Sequence, residues 1–591
     1  MASLEDWKTA GVDLRVFLST SGDLVLPSVE TAYPFAAGGP AGVPSGWSQY
    51  QDNPNGITNY AYSVSGGIFN AGCVTPGYNN ISIGAYRKFT ANANKIYQAQ
   101  VKFALQPSHN DTRFGMMLSG YDPITQTYDW LTQIADWDAT TEWQMAAITA
   151  SRVLAARYTQ IDVLFWAECK NLNEGTTYNW GLQFDAFKIV EFDASAAALT
   201  WRDITCDVQQ LSWRYGRERF TNRFDVATIG MQVNNKAGQY SYAEPHSFGL
   251  EPGRIVKVEA TYNGTMYPQA FGIVDQLTDG VTLDGKAVTN ITCLDPTSIF
   301  SNRPTPFLLG QSGYLAHQRL EYIVKYMGYP KYSFDNGVAG WTMQGIEESG
   351  RSLRDEMGIT ADSEGGSVFA DRQGNITYKN RNWLTTDDNL QSVTANLWAK
   401  PESDQPYFDG TPTQPNAPTL CLNALQTDWG MSRVVNYVEL ANAGGTVYKY
   451  NNALSQKKYG PRTYSRHDFV LELIGEGKLA TRANDIMNGY DKPKLRLNTV
   501  TFRPGADGNE WTYALRVFLN WLVRVWYQNA RTGWGWLIVT HVQSIEHRVT
   551  ATDWECTMSV DQPTHYEDAP MQNVFAWDDP RAKWDANGVW V

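Results

Sequence analysis

Two stretches far apart in this chain follow one plan. Ile255, Val256, Lys257 and Val258 are matched by Leu522, Val523, Arg524 and Val525. Each quartet is followed by a turn, then by an apolar run (Phe271 to Val274; Trp536 to Val542), then by a closing run with a lone cysteine, Cys293 or Cys556. Short β-branched and aromatic runs bounded by turns read as strands, and a strand plan repeated at long spacing reads as an internal duplication. The chain therefore carries two related β domains, at about 196–300 and 420–563, and the remaining segments fit around them.

There is a good deal to fit. A chain of 591 residues is too long for one hydrophobic core, and about three or four domains are expected. Aromatics make up 13% of it and Gly numbers 49, which favours short strands and turns over long helices. A net charge of −13 with no Lys/Arg run excludes a nucleic-acid-coating protein. The opening MASLEDWKTAGVDL has no basic region followed by an apolar one, and no window nears the ~18 apolar residues of a membrane span, so neither a signal peptide nor a span is expected. Cys73, Cys169, Cys206, Cys293, Cys421 and Cys556 stand alone, and the seven histidines are scattered, without zinc spacing or a nucleophile motif. No cofactor or metal is expected.

After a leader at 1–29, residues 30–193 alternate strand-like runs (NYAYSVSG, KIYQAQVKFAL, TRFGMMLSGY, QIDVLFWAE, WGLQFDAFKIVEF) with Gly, Asn and Pro turns, the pattern of a β-sandwich. Its opening GWSQYQDNPNG and its last strand, with Asp185 between Phe184 and Phe187, resemble jelly-roll carbohydrate-binding modules. The resemblance implies sugar rings stacked on aromatic faces, for which Tyr128, Trp130, Asp136 and Trp137, with Asp129 and Asp138, have the right chemistry. The same aromatics also suit the sandwich core or a protein interface.

From Trp201 the order is a GR turn, an N-x-x-G turn (NNKAG), a Pro-Gly turn and an F-G-x-V strand, and here the segment resembles the first tube-forming domain of the baseplate-hub (minor tail) proteins of long-tailed bacteriophages. Residues 301–419 read as an α+β domain. Leu320, Ile323, Val324 and Met327 form one helical stripe, and a second helix is expected at about Thr342 to Met357. It leads into SEGGSVFADRQGNITYKNR, in which Asp371 to Gly374 is a hairpin turn and thus scaffold, without the alternating oxygen ligands of a calcium loop. The helix, EGG and V-F-A-D-x-x-G-x-I-T-Y order also resembles the hub family. The second β domain inserts Tyr459, Gly460, Pro461, Arg462 and an amphipathic helix around Leu479, Ala483, Ile486 and Met487, where the hub family places an insertion in its second tube domain. The fold expected is mainly β with some α: an N-terminal jelly-roll sandwich, two related tail-tube-like β-barrel domains and an α+β domain between them.

The resemblance implies a structural, non-enzymatic virion protein of the tail tip, assembled in the host cytoplasm. It would form a homotrimer whose paired tube domains present six quasi-equivalent units to a six-fold tail tube, with an acidic lumen that lets DNA pass without adhering. The implied partners are a distal tail ring protein, the tape measure protein, further tail-tip proteins and a host cell-surface glycan. A six-fold distal-tail-type ring fits the same residues. A cell-wall glycan hydrolase would draw its carboxylates from Glu347, Glu348, Glu364 or Asp371. The segment 564–591 is a Trp-rich arm, and Trp577, Trp584 and Trp590 are expected to anchor in a neighbouring chain or, equally, to pack back on their own domain.

Overall fold

The computed structural model describes residues 4, 11–21, 28–33, 35–38, 43–52, 60–75, 82–92, 95–105, 112–131, 135–138, 144–149, 158–169, 178–193, 199–217, 223–241, 250–283, 285–303, 314–335, 340–344, 350–383, 392–398, 417–428, 430–431, 433–442, 445–471, 476–487, 490–493, 496–505, 508–528, 535–561, 572–575 and 588–590.

The sandwich is two six-stranded sheets face to face. One runs Ala135–Asp138, Thr112–Asp122, Gln160–Cys169, Ser82–Thr90, Ser48–Asp52, with Thr127–Trp130 also on the Thr112 strand. The other runs Gln144–Thr149, Lys95–Leu105, Tyr178–Asp193, Ile68–Thr75, Tyr60–Ser65, with Ser28–Tyr33 on the Tyr178 strand. Side chains alternate across a strand, so Ile161, Val163, Phe165 and Ala167 fill the interior. They meet Trp47, Phe69, Phe103 and Phe114 there. Each such large apolar side chain contributes about 1.5–3 kcal/mol by burial. Asp185 marks a bulge: Ala186 has φ 51° and the register slips between Asp185 and Lys188, which turns both Phe184 and Phe187 into the core.

The two related domains share one 16-stranded sheet. In the first unit, Val208–Gly216, Thr228–Asn234, Ala287–Leu294, Thr265–Val281 and Ile255–Tyr262 are neighbours in that spatial order, all antiparallel. In the second, Ala424–Asp428, Arg496–Phe502, Trp554–Asp561, Gly535–Thr550 and Leu522–Gln528 repeat the order and the directions. The likeness reaches single turns. The N–H of Gly253 (φ 96°) donates to Val274 O, and that of Asn520 (φ 62°) to Val542 O; the long strand bulges just after Val274 in one unit and just after Val542 in the other. The two cysteines are not equivalent, since Cys293 faces Val274 beside its bulge and Cys556 faces His547 well past its own.

Two expectations change. The segment read as a leader holds Val12–Ser21, a strand paired along the Ile255 strand, with Thr200–Asp203 on its other side. Its alternating Val12, Leu14, Val16 and Leu18 are all buried, so the strand belongs to the first unit and the sandwich is inserted behind it. The second helix lies further along the chain: Thr342–Met343 is a short strand, and the helix is Leu353–Glu364. Ser352 caps its start by accepting from Asp355 N, and Gly365 at φ 85° ends it.

That helix, Ala316–Tyr326 and the insertion of the second unit (Tyr437–Asn442, Tyr448–Asn451, Thr463–Phe469, helices Ala453–Tyr459 and Glu476–Met487) close over a common core of Leu320, Ile323, Met357, Val438, Leu440, Leu479 and Ala483. Arg319 and Glu356 form a buried ion pair inside it, at 3.1 Å. The middle domain and the insertion are thus one body.

Candidate functional site

Three places in the chain carry candidate function: the joint between the two units, the outer face of one sandwich sheet, and the Asp371 hairpin.

The joint is a strand pairing. Val208–Gly216 lies antiparallel to residues 544–550 of the Gly535 strand, on the stretch that runs beyond the Leu522 strand. Trp213 sits opposite His547, its ring stacked at 4.6 Å and 19°, and Trp554 Nε1 donates to His547 Nδ1 at 3.1 Å. Burial among indoles, and then the nearby Arg372 charge, hold the imidazole well below its ordinary 6.5 and therefore neutral. At the end of the joint Gly216 has φ 118°, and a Cβ there would lie 2.3 Å from Gln543 O, so only glycine fits. Arg217 Nε then donates to Gln543 Oε1 (2.9 Å) and Gln543 Nε2 to Asn520 Oδ1 (3.1 Å). This end of the pairing is pinned.

The hairpin braces that joint. Asp371 Oδ1 accepts from Gln373 N and Asn375 N (2.9 Å each) and Gly374 holds φ 82°, as a structural turn requires. Arg372 donates from the turn to Tyr215 Oη (2.8 Å) in the first unit and to Leu515 O (2.6 Å) and Val517 O in the second. Two of the carboxylates suggested for hydrolysis lie among the described residues. Glu364 is buried, accepts from Tyr378 Oη and has its pKa raised by burial, while Asp371 is spent on the turn. Glu347 and Glu348 lie outside the described residues.

On the sandwich, Tyr128 and Trp130 lie on the exposed Thr127–Trp130 strand, 44% and 60% open to solvent, beside Ile124. Lys88 Nζ donates to Tyr128 Oη at 3.2 Å, a bond that raises the lysine pKa. Asp129 turns away to accept from Tyr158. Asp136 and Trp137 have their backbone in a strand opposite Gly115 and Phe114, and their side chains lie outside the described residues. Trp166 is a packing residue on the same sheet, 8% exposed. With Phe165 and Ala167 in the core, Trp166 shares the outer face with Asp162 and Leu164. Its indole lies across Gly115, where a Cβ would be 2.2 Å away, and 6.3 Å from the Tyr50 ring. The sequence signal for that packing is a glycine in each flanking strand, Gly84 and Gly115, both in register with Trp166.

The arm begins by pairing Gln572–Phe575 with residues 535–537 of its own chain, and Gly588–Trp590 adds a parallel strand. Trp577, Trp584 and the side chain of Trp590 lie outside the described residues. Among the described residues no cluster of metal-ligating side chains occurs, and no helix is long and apolar enough to cross a membrane.

No family model matches the chain, and no curated protein matches it in sequence. Among solved structures it is similar to the 43 kDa tail protein of prophage MuSo2 from Shewanella oneidensis, at 12% identity and TM-score 0.42 over 62% of this chain and 96% of that one. It is similar to a tail protein from Neisseria meningitidis at 10% identity and TM-score 0.41, over 61% and 93% of the two chains. A variant of a family 29 carbohydrate-binding module aligns at 8% identity and TM-score 0.17, over 28% of this chain and 92% of the module.

Proposed function

We propose that this chain is a structural hub of a bacteriophage tail tip, working as a homotrimer that fits a six-fold tail tube to a three-fold tip. The observation that carries the reading is the fusion, within one chain, of two units that share five strands of the same order and direction, edge to edge in one sheet. Three such chains present six quasi-equivalent units, and a three-fold particle then meets a six-fold ring without a symmetry mismatch. The role is mechanical: of the carboxylates suggested for catalysis, Asp371 holds its turn and Glu364 a buried hydrogen bond with Tyr378. The distal tail ring, the tape measure and other tip proteins are its neighbours, with Trp577, Trp584 and Trp590 of the arm as anchoring side chains.

The inserted sandwich presents Tyr128 and Trp130 to a host-surface glycan, because exposed aromatics beside Lys88 suit a pyranose with its hydroxyls. Electron microscopy of the purified assembly tests the hub: a ring with three-fold symmetry and six lobes supports it, and a six-fold ring of six chains supports the distal-tail alternative instead.

A further inference from the structure

The insertion of the second unit carries a charge pattern opposite to that of the whole chain. Residues 440–467 hold five Lys and Arg and no Asp or Glu, in a chain whose net charge is −13. Arg466 is drawn inward, to Asp468 at 2.8 Å and Asp362 at 3.3 Å, and Lys449 reaches Glu439 at 3.6 Å while staying exposed. Lys457, Lys458 and Arg462 are also exposed, and among the described residues none of the three enters an ion pair. Asp491, the acid beside the helix start, accepts from Asn452 Nδ2 at 3.1 Å.

Two apolar side chains stand out among these cations: Leu454 is 83% exposed and Val447 40%. On helix Ala453–Tyr459, Leu454 lies one turn before Lys457 and Lys458, so the three share a face. Val447 stands two residues before Lys449. Lysines in a last turn complement the helix dipole, which leaves the exposed leucine without a reason. The patch is also held in one shape. Asn436, fully buried, donates from Nδ2 to Ser455 Oγ (3.0 Å) and Gly460 O (2.9 Å) and accepts at Oδ1 from Arg462 N (2.8 Å), while Gln456 Nε2 donates to Asn436 O (3.1 Å). One residue thus fixes both the helix and the Gly460–Pro461–Arg462 turn.

We propose that this patch docks on an anionic lipid bilayer, with Leu454 and Val447 entering the headgroup layer and Lys449, Lys457, Lys458 and Arg462 meeting lipid phosphates. An aliphatic tip ringed by cations suits interfacial attachment, because the apolar group leaves water while long basic side chains reach to the anionic surface. A protein partner fits less well: lysine is depleted in protein interfaces, and three of these four cations are lysines. The attachment belongs to one loop of one chain and does not depend on ring formation. In a tail tip it would add a membrane contact to the glycan contact.

The test is flotation of the full chain with vesicles of phosphatidylcholine mixed with phosphatidylglycerol, against phosphatidylcholine alone. It is run at about 0.1 M and about 1 M salt, between which the Debye length falls from about 10 to about 3 Å. Binding is expected to the anionic vesicles alone and should weaken with salt. Lys457→Glu with Lys458→Glu should reduce it at least about tenfold, and Leu454→Gln about fivefold or more. Both variants should keep the parent circular dichroism, because the altered side chains are exposed. Leu283→Gln, at a fully exposed leucine in the first unit, should bind like the parent. A parent chain that binds neither vesicle overturns the proposal, as does binding that survives in the double lysine variant. Loss with the lysines but not with Leu454→Gln would mean a bare polyanion contact and overturn entry into the bilayer; equal loss in Leu283→Gln would overturn this loop as the site. If the lysine variant loses native mass while the parent ignores vesicles, the patch is a contact with a second copy and the proposal fails.

Discussion

His547 is the residue whose environment most constrains the whole. Its imidazole is buried between Trp213 and Trp554 with its folded pKa held well below 6.5, so the folded chain binds fewer protons there than the unfolded chain does. Stability from this site is present above about pH 6.5 and is lost as the pH falls below it. Thermal melts from pH 7.5 to 5.5 should show a falling midpoint, and a His547→Phe chain should show a shallower fall; equal slopes would remove the histidine from the account. Trp213→Ala should cost about 3–5 kcal/mol by opening a cavity against His547, read by denaturant titration. The turn residues order differently. Asp371→Ala should cost on the order of 1 kcal/mol. Gly374→Val should cost more, because φ is 82° and a Cβ would come 2.4 Å from the Phe271 ring. A larger loss for Asp371→Ala would mean that the acid does more than hold its turn.

Strands and helices show what was legible and what was not. The duplication could be read from Ile255–Val258 and Leu522–Val525 because buried strands need runs of branched apolar residues, and such runs survive as pattern. The hairpin at Asp371–Gly374 was equally plain, since its turn chemistry is local. The first strand was not: Val12, Leu14, Val16 and Leu18 alternate, but their partners lie some 240 residues on, and no local signal ties Val12 to Tyr262. The second helix starts later than expected from sequence, at Leu353, where Ser352 caps it. Tyr128 and Trp130 were legible as a cluster in sequence, whereas Trp166 and Tyr50 meet only across the sheet.

The register yields an element-scale prediction. Ser21 pairs with Thr200, so the two ends of the insertion lie one strand spacing apart, about 5 Å. Replacing 22–199 by a short turn should leave ring assembly intact and abolish glycan retention, measured by native mass and glycan-array binding. Loss of assembly would make the sandwich structural. Trp130→Ala in the full chain should weaken retention at least tenfold without altering assembly, and undiminished retention would remove the exposed Thr127–Trp130 strand as the stacking surface.

At the scale of the molecule, one sheet passes through both units, the Asp371 hairpin ties them through Arg372, and the middle domain and the insertion share a core. The two units are therefore held in one fixed relation. A formal charge of −13 opposes non-specific association of free chains, and in the proposed ring it would favour passage of DNA over adhesion. The most direct test is the native mass and symmetry of the assembled particle. The account predicts three copies of the 66.3 kDa chain in a ring of six lobes; a stable monomer at assembly concentrations, or a ring of six chains, would contradict it.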